Sequence, residues 1–301
     1  LYSLLSVVQT KLLRRSIMLN GTQDFTTEDL EYLRHADQPL MMRLFRPEGE
    51  GPFPIVIDLH GGAWNTSDLS SCQVRDEVLV KAGLAVAAVD FRHGADRYPT
   101  SLQDINYAIR WLKANAEKLA LDSKRVGLSG QSSGGHLAAL AAMRPHDPRY
   151  TEIILDGYTK VDAGVVCVAL EWPVINPLSR YHHALRSLQN PDTAGWVGRI
   201  PEFHHTYWVD EETMTEGNPM LALERGEKVE MPPAIWIQGR PDAVHDYRDP
   251  ESPVDMNEPE RFAHNYRAAG GEIEVLYVDQ AVRSTDVSFD PLAAFFRKHL
   301  S

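Results

Sequence analysis

The chain has 301 residues, 43% of them hydrophobic, and a formal net charge of −12 at neutral pH. That length and apolar content suffice for the core of one large α/β domain, and six Trp and eleven Tyr exclude a disordered chain. The acidic balance argues against nucleic acid or an anionic membrane as partner.

In "LYSLLSVVQTKLLRRS" the residues Leu1, Leu4, Leu5, Val8 and Leu12 share one helical face, Lys11 interrupts the run, and Arg14 and Arg15 follow rather than precede it. This predicts an N-terminal helical segment over 1–35 that packs on the body, not a signal peptide. "LMMRLFRP" (40–47) reads as a strand, "PIVIDLHGG" (54–62) as a buried strand stopped by glycines, and "GLAVAAVDFR" (83–92) as another. "SLQDINYAIRWLKANAEKLA" puts Ile105, Ala108, Ile109, Leu112, Ala116 and Leu119 on one face of a helix. "RVGLSG" reads as a strand, "SSGGHLAALAAM" as a helix, "AGVVCVALEW" as a strand and "PPAIWIQG" as a strand. "EPERFAHNYRAAGG" (helix), "EIEVLYV" (strand) and "PLAAFFRKHL" (helix) close the chain. Alternating strands and helices imply a mostly parallel central sheet flanked by helices, as one domain over 1–301. Residues 174–230 carry no strand pattern but are rich in aromatics, so a helical cap over the carboxyl edge of the sheet is expected, where ligands bind in open α/β sheets.

"GQSSG" (130–134) fits G-x-S-x-G between a strand and a helix, the context that exposes Ser132 on a sharp turn. "HGGAW" (60–64) follows a buried strand, and its glycines let backbone N–H groups face a cavity, so Gly62 and Ala63 with Ser133 are candidate oxyanion donors. His60 reads as part of that loop's frame and His136 as a packing histidine. Asp242, in the loop after "AIWIQG", stands where a triad acid belongs. Trp64, Trp196, Tyr207 and Trp208 are expected to line a substrate pocket. Glu171 ends a strand, either as a second carboxylate approaching the nucleophile or, by preference, as a solvated strand end. Cys167 reads as a buried thiol, and two cysteines make no disulfide framework, which suits a reducing, cytoplasmic setting. There is no Walker or dinucleotide glycine pattern, and the adjacent His182 and His183 lack a third ligand at metal spacing, so neither cofactor nor metal is called for. No apolar run approaches the roughly 18 residues of a membrane span. Homodimer formation is left open.

These motifs, in this order, resemble the α/β-hydrolase fold, and more narrowly the hormone-sensitive-lipase-like esterases and their bacterial feruloyl and acetyl esterase relatives. The likeness runs from "LMMRLFRP" to the C-terminus and includes "VDFRHGADRYPTSLQDINYAIRWLKANAEKLALDSKRVGLSGQSSGGHLAAL" and the "NPM" at 218–220. It implies Ser132 as nucleophile, Gly62, Ala63 and Ser133 as oxyanion donors and Asp242 as acid. Ala63 replaces a glycine usual in that family, a mild change where only a backbone N–H is needed. The resemblance also implies a histidine at Val282 or Arg283, and the loop 279–286 holds none. Neither residue accepts a proton from a hydroxyl.

His245, just past Asp242, is the first candidate for a substitute base, oriented by Asp279 or Asp286 from the last loop, and His204 and His205 of the cap are others. The expected activity is hydrolysis of a small ester or lactone through an acyl-serine intermediate with a non-standard base. The competing expectation is a ligand-binding or non-hydrolytic protein on the same fold with a degenerate triad.

Overall fold

The structure, a computed structural model, describes residues 24–301. Residues 1–23 of the expected N-terminal helix lie outside that range, and residues 25–35 form a strand. This strand, β1 (Phe25–His35), pairs antiparallel with β2 (Gln38–Pro47). The segment alternates rather than following a helical period. Tyr32 is buried and gives its hydroxyl to the Asp90 carbonyl at 2.5 Å, while Glu28, Glu31 and Arg34 decorate the sheet edge.

The chain continues through β3 (Phe53–Leu59), α1 (Gln73–Lys81), β4 (Ala85–Val89), α2 (Thr100–Ala114), β5 (Leu121–Gln131) and α3 (Ser133–Met143). Next come β6 (Cys167–Glu171), the cap helices α4 (Pro177–Leu188), α5 (Ile200–Trp208), α6 (Glu211–Glu216) and α7 (Pro219–Glu224), then β7 (Ala234–Arg240), α8 (Glu258–Ala268), β8 (Ile273–Asp279) and α9 (Asp286–His299). The strands form one sheet in the order β1-β2-β4-β3-β5-β6-β7-β8, parallel from β4 onward. Both faces are covered, which is why the inner strands read as unbroken apolar runs. Along β3, Ile55, Ile57 and Leu59 face the core shared with α2, α3, α8 and the cap, and Val56 faces the core shared with α1 and α9. Leu102, Ile105, Ile109 and Leu112 of α2 are fully buried, each worth about 1.5–3 kcal/mol of burial.

Two buried acids link strands below the sheet. Arg75 of α1 binds Asp58 of β3 at 2.5 Å and also pairs with Glu171 of β6. Glu171 is therefore not the solvated strand end expected. It is fully buried and points away from the serine, on the α1 side. Cys72 and Cys167 are buried free thiols, both pushed up to about 12 by burial. Among the described residues no helix is long and apolar enough to cross a membrane, and no group of metal-ligating side chains gathers.

The turn from β5 into α3 is jammed against the end of β3. A Cβ on Gly134 would fall 2.3 Å from the carbonyl oxygens of Leu59 and His60, and one on Gly130 would fall 2.3 Å from that of Gly134. Backbone cannot yield as a side-chain tip can. Gly134→Ala is therefore expected to cost about 3 kcal/mol or more of stability, read by thermal or urea unfolding. An unchanged unfolding midpoint would contradict this packing.

Candidate active site

Ser132 sits at that turn with φ 52° and ψ −119°, a strained conformation for a residue with a side chain. Three backbone bonds hold it there. Its N–H donates to Glu171 at 2.9 Å, and its carbonyl accepts from His136 at 3.1 Å and Val174 at 3.0 Å. Its side chain is half-buried at the carboxyl edge of the sheet, where α3 begins.

The loop after β3 lies against it, since a Cβ on Gly61 would be 3.3 Å from Cβ of Ser132. Gly62, Ala63 and Trp64 all take positive φ (98°, 50° and 60°). Their turn is closed by the Gly62 carbonyl, which accepts from Asn65 at 3.0 Å and Thr66 at 3.1 Å. Asn65 fixes the loop to the cap, with Nδ2 donating to Ala63 at 2.7 Å and to Phe203 at 2.9 Å. The N–H groups of Gly62, Ala63 and Ser133 meet no acceptor among the described residues, which leaves three backbone donors free beside the serine.

His245 brings its ring to Ser132, with Nε2 3.1 Å from Oγ. Nδ1 of the same ring lies 2.9 Å from Oδ2 of Asp242. The partner is thus Asp242, three residues away, and not Asp279 or Asp286. Asp279 caps the turn that follows β8, accepting from Ala281, and Asp286 begins α9. Asp242 Oδ1 accepts from the N–H groups of Val244 at 2.9 Å and His245 at 3.2 Å, and Oδ2 also accepts from Gln238 at 3.3 Å and Arg283 at 2.8 Å. Burial works against the ionised carboxyl, but these bonds, that of His245 first, bring its pKa down to about 2. Burial pulls the His245 imidazole down to about 4. Asp242 opposes that shift, and the charges of Arg180 and Arg283 add to it. The ring is accordingly neutral at pH 7, and a neutral ring whose Nδ1–H is held by a carboxylate presents a lone pair on Nε2 to the hydroxyl.

The other histidines are engaged elsewhere. His60 stacks on Phe91 at 4.4 Å and bonds the Gly61 carbonyl, and His136 bonds Gly217 and accepts from the Trp64 indole. His204 bonds Ile200, and His205 bonds the Tyr181 hydroxyl at 2.7 Å. Trp64, Tyr207 and Trp208, expected to line a pocket, are fully buried and packed on one another, Trp64 stacking on Tyr207 at 5.9 Å and meeting Trp208 edge-on at 5.3 Å. They weld the cap to the sheet instead of walling a cavity. Trp196 stacks on His183 at 5.0 Å, with the Arg180 guanidinium 5.0 Å from its ring.

Sequence reasoning missed the clamp on the His245 loop. From α4, Arg180 Nη1 donates to the Val244 carbonyl at 2.9 Å, His183 Nε2 lies 2.8 Å from the Ala243 carbonyl, and the Ser179 hydroxyl meets that of Tyr247 at 3.1 Å. The available signal was the spacing of Ser179, Arg180 and His183, polar residues within one turn of a helix facing the sheet. Arg283, dismissed as a base, reaches Asp242, and its guanidinium lies 4.6 Å over the Trp172 ring.

A mostly parallel sheet with a serine at the turn after β5, and an acid and a histidine past β7, is the α/β-hydrolase fold. Solved structures agree. An esterase from the archaeon Pyrobaculum calidifontis superposes with TM-score 0.70 at 20% identity, over 99% of this chain and 94% of its own. The carboxylesterase EstE1, cloned from a metagenomic library, gives TM-score 0.70 at 21% identity, over 98% and 95%. The chain belongs to the BD-FAE family, whose pattern it matches over residues 42–199. It is also similar to the probable carboxylic ester hydrolase LipM of Mycobacterium tuberculosis (31% identical, 64% of this chain, 42% of that protein) and to esterase LipC of the same organism (29%, 64% and 45%). The chain thus spans less than half the length of these two relatives.

A direct check on the site is the titration of the His245 ring by NMR. The expected midpoint is near pH 4, well under the ordinary histidine value of about 6.5. A midpoint at 6.5 or above would contradict a closed, cation-flanked ring.

Proposed function

We propose that this protein hydrolyses carboxylic esters through an acyl-Ser132 intermediate, with His245 as general base and Asp242 as the acid that orients it. The observation that carries the reading is the unbroken run of contacts from Ser132 Oγ to His245 Nε2 (3.1 Å) and from His245 Nδ1 to Asp242 Oδ2 (2.9 Å). A triad is defined by geometry and roles, so its histidine need not come from the last loop. The names of LipM and LipC, both ester hydrolases, support the same reaction class.

In the proposed sequence the Ser132 oxygen attacks the ester carbonyl carbon while its proton passes to His245 Nε2. The carbonyl oxygen becomes an oxyanion, which the N–H groups of Gly62, Ala63 and Ser133 receive. The intermediate collapses, the C–O bond to the alcohol breaks, and the leaving alkoxide takes the proton from His245. Water then gives a proton to the same ring, attacks the acyl carbon and releases the acid, and Ser132 regains its hydrogen. Asp242 stays ionised throughout and stabilises the imidazolium that forms twice per cycle. A ring with a pKa near 4 is a weak base, but it is unprotonated at any pH above about 5 and so always ready.

Turnover of a small activated ester such as 4-nitrophenyl acetate tests the reading. His245→Ala is expected to lower kcat by about 10²–10⁴-fold and Ser132→Ala by at least as much. A fluorophosphonate should label the wild type and not Ser132→Ala. Wild-type turnover in Ser132→Ala would overturn the assignment. A wild type that neither turns over nor labels would mean a site that binds without hydrolysing.

A further inference from the structure

Two guanidinium groups, those of Arg180 and Arg283, push the pKa of the His245 ring down, and Asp242 opposes them. Glu258, on the wall of the small cavity behind His245, is pushed up by burial and pairs with Arg261 at 3.3 Å.

The two arginines differ in access. Arg180 is buried (4% exposed), donates to the Val244 carbonyl, leaves Nε without an acceptor and pairs with no carboxylate. Among the other buried arginines, Arg75, Arg144 and Arg261 pair with acids, and Arg110 bonds Asn106 and the Ile153 carbonyl instead. A buried cation without a carboxylate partner is costly, and the Trp196 ring 5.0 Å from the guanidinium offsets part of that cost. The cavity at Arg180 is about 10 Å³, room for a single water, so Arg180 acts through its field and not by contact with a substrate. Arg283 can make contact. Its side chain is 26% exposed, Nη1 alone is engaged with Asp242 and Gln280, and Nε and Nη2 donate to nothing among the described residues. The guanidinium carbon lies 4.6 Å from the Trp172 ring centre, a cation–π contact that leaves Nε and Nη2 free.

We propose that the site prefers esters that carry a free carboxylate, and that Arg283 is the residue that recognises it, with Arg180 supplying the favourable field. This rests on the ester-hydrolase reading above. A carboxylate arriving at the free edge of Arg283 forms a charge-assisted, two-pronged contact. In the neutral ester that contact is missing.

Matched esters test the proposal. On the acyl side, the mono-4-nitrophenyl ester of glutaric acid is compared with 4-nitrophenyl pentanoate, and on the alcohol side, 4-pentanoyloxybenzoate with its methyl ester. In at least one pair kcat/KM should favour the charged member by about 10- to 100-fold, the more so at low salt. Which pair responds tells whether the carboxylate belongs to the acid or the alcohol part. Arg283→Gln should erase the preference, over and above any loss common to both members through Asp242, and Arg283→Lys should keep most of it. Equal rates for charged and neutral partners in the wild type would overturn the proposal. So would an Arg283→Gln variant that slows both members by the same factor, since Arg283 would then only brace Asp242. Should the wild type hydrolyse none of the four, the hydrolase reading fails separately. Glutarate binding by calorimetry then decides anion recognition, with salt-sensitive binding to the wild type that Arg283→Gln abolishes supporting it and no binding overturning it.

Discussion

The site hangs on one carboxylate. Asp242 folds its own loop by accepting the N–H groups of Val244 and His245 on one oxygen, and uses the other to hold the ring of that same His245. A histidine three residues from its acid would ordinarily point anywhere, because a short loop has few internal restraints. Here the backbone bonds choose the turn and the ring bond chooses the side-chain direction, so Nε2 meets the serine. The carboxylate stays ionised because Gln238 and Arg283 add to the donors around it.

The cap makes that loop rigid. Ser179, Arg180 and His183 of α4 bind residues 243–247 from above, and Tyr247 stacks on His183 at 3.9 Å. The same insertion is anchored to the sheet by the Trp64, Tyr207 and Trp208 packing, and to the loop after β3 by Asn65. The 174–230 segment therefore does more than cover the sheet edge. It fixes both the ring beside Ser132 and the loop after β3 that lies against it, and the last loop, which carries no histidine, contributes Arg283.

Much of this was legible in the sequence. Parallel strands announced themselves as short apolar runs, and the glycines of "GQSSGG" and "HGGAW" stand where backbone meets backbone. His245 was legible by position alone, since a loop that carries the acid past β7 must border the turn after β5. Its orienting partner was not, because whether Asp242 or a residue of 279–286 faces the ring depends on the turn that Asp242 itself creates. The cap aromatics were misread for a related reason. Tyr207 and Trp208 in the insertion, and Trp64 opposite them, suit a pocket wall and a buried seam equally, and only packing tells them apart. Glu171 was misread because strand-end burial depends on Arg75, 96 residues away. Residues 25–35 read as part of a helix only while the alternation of Leu30 and Tyr32 was subordinate to the apolar run before them.

The central claim is that a histidine on the acid's own loop activates Ser132. The rate of Ser132 modification by a fluorophosphonate, followed from pH 3.5 to 8 in the wild type and in His245→Gln, tests it most directly. The wild-type rate is expected to fall with acid around pH 4, where the ring gains its proton, and the His245→Gln rate to be lower by orders of magnitude and without that limb. A His245→Gln variant that reacts at the wild-type rate, with the same pH dependence, would contradict it.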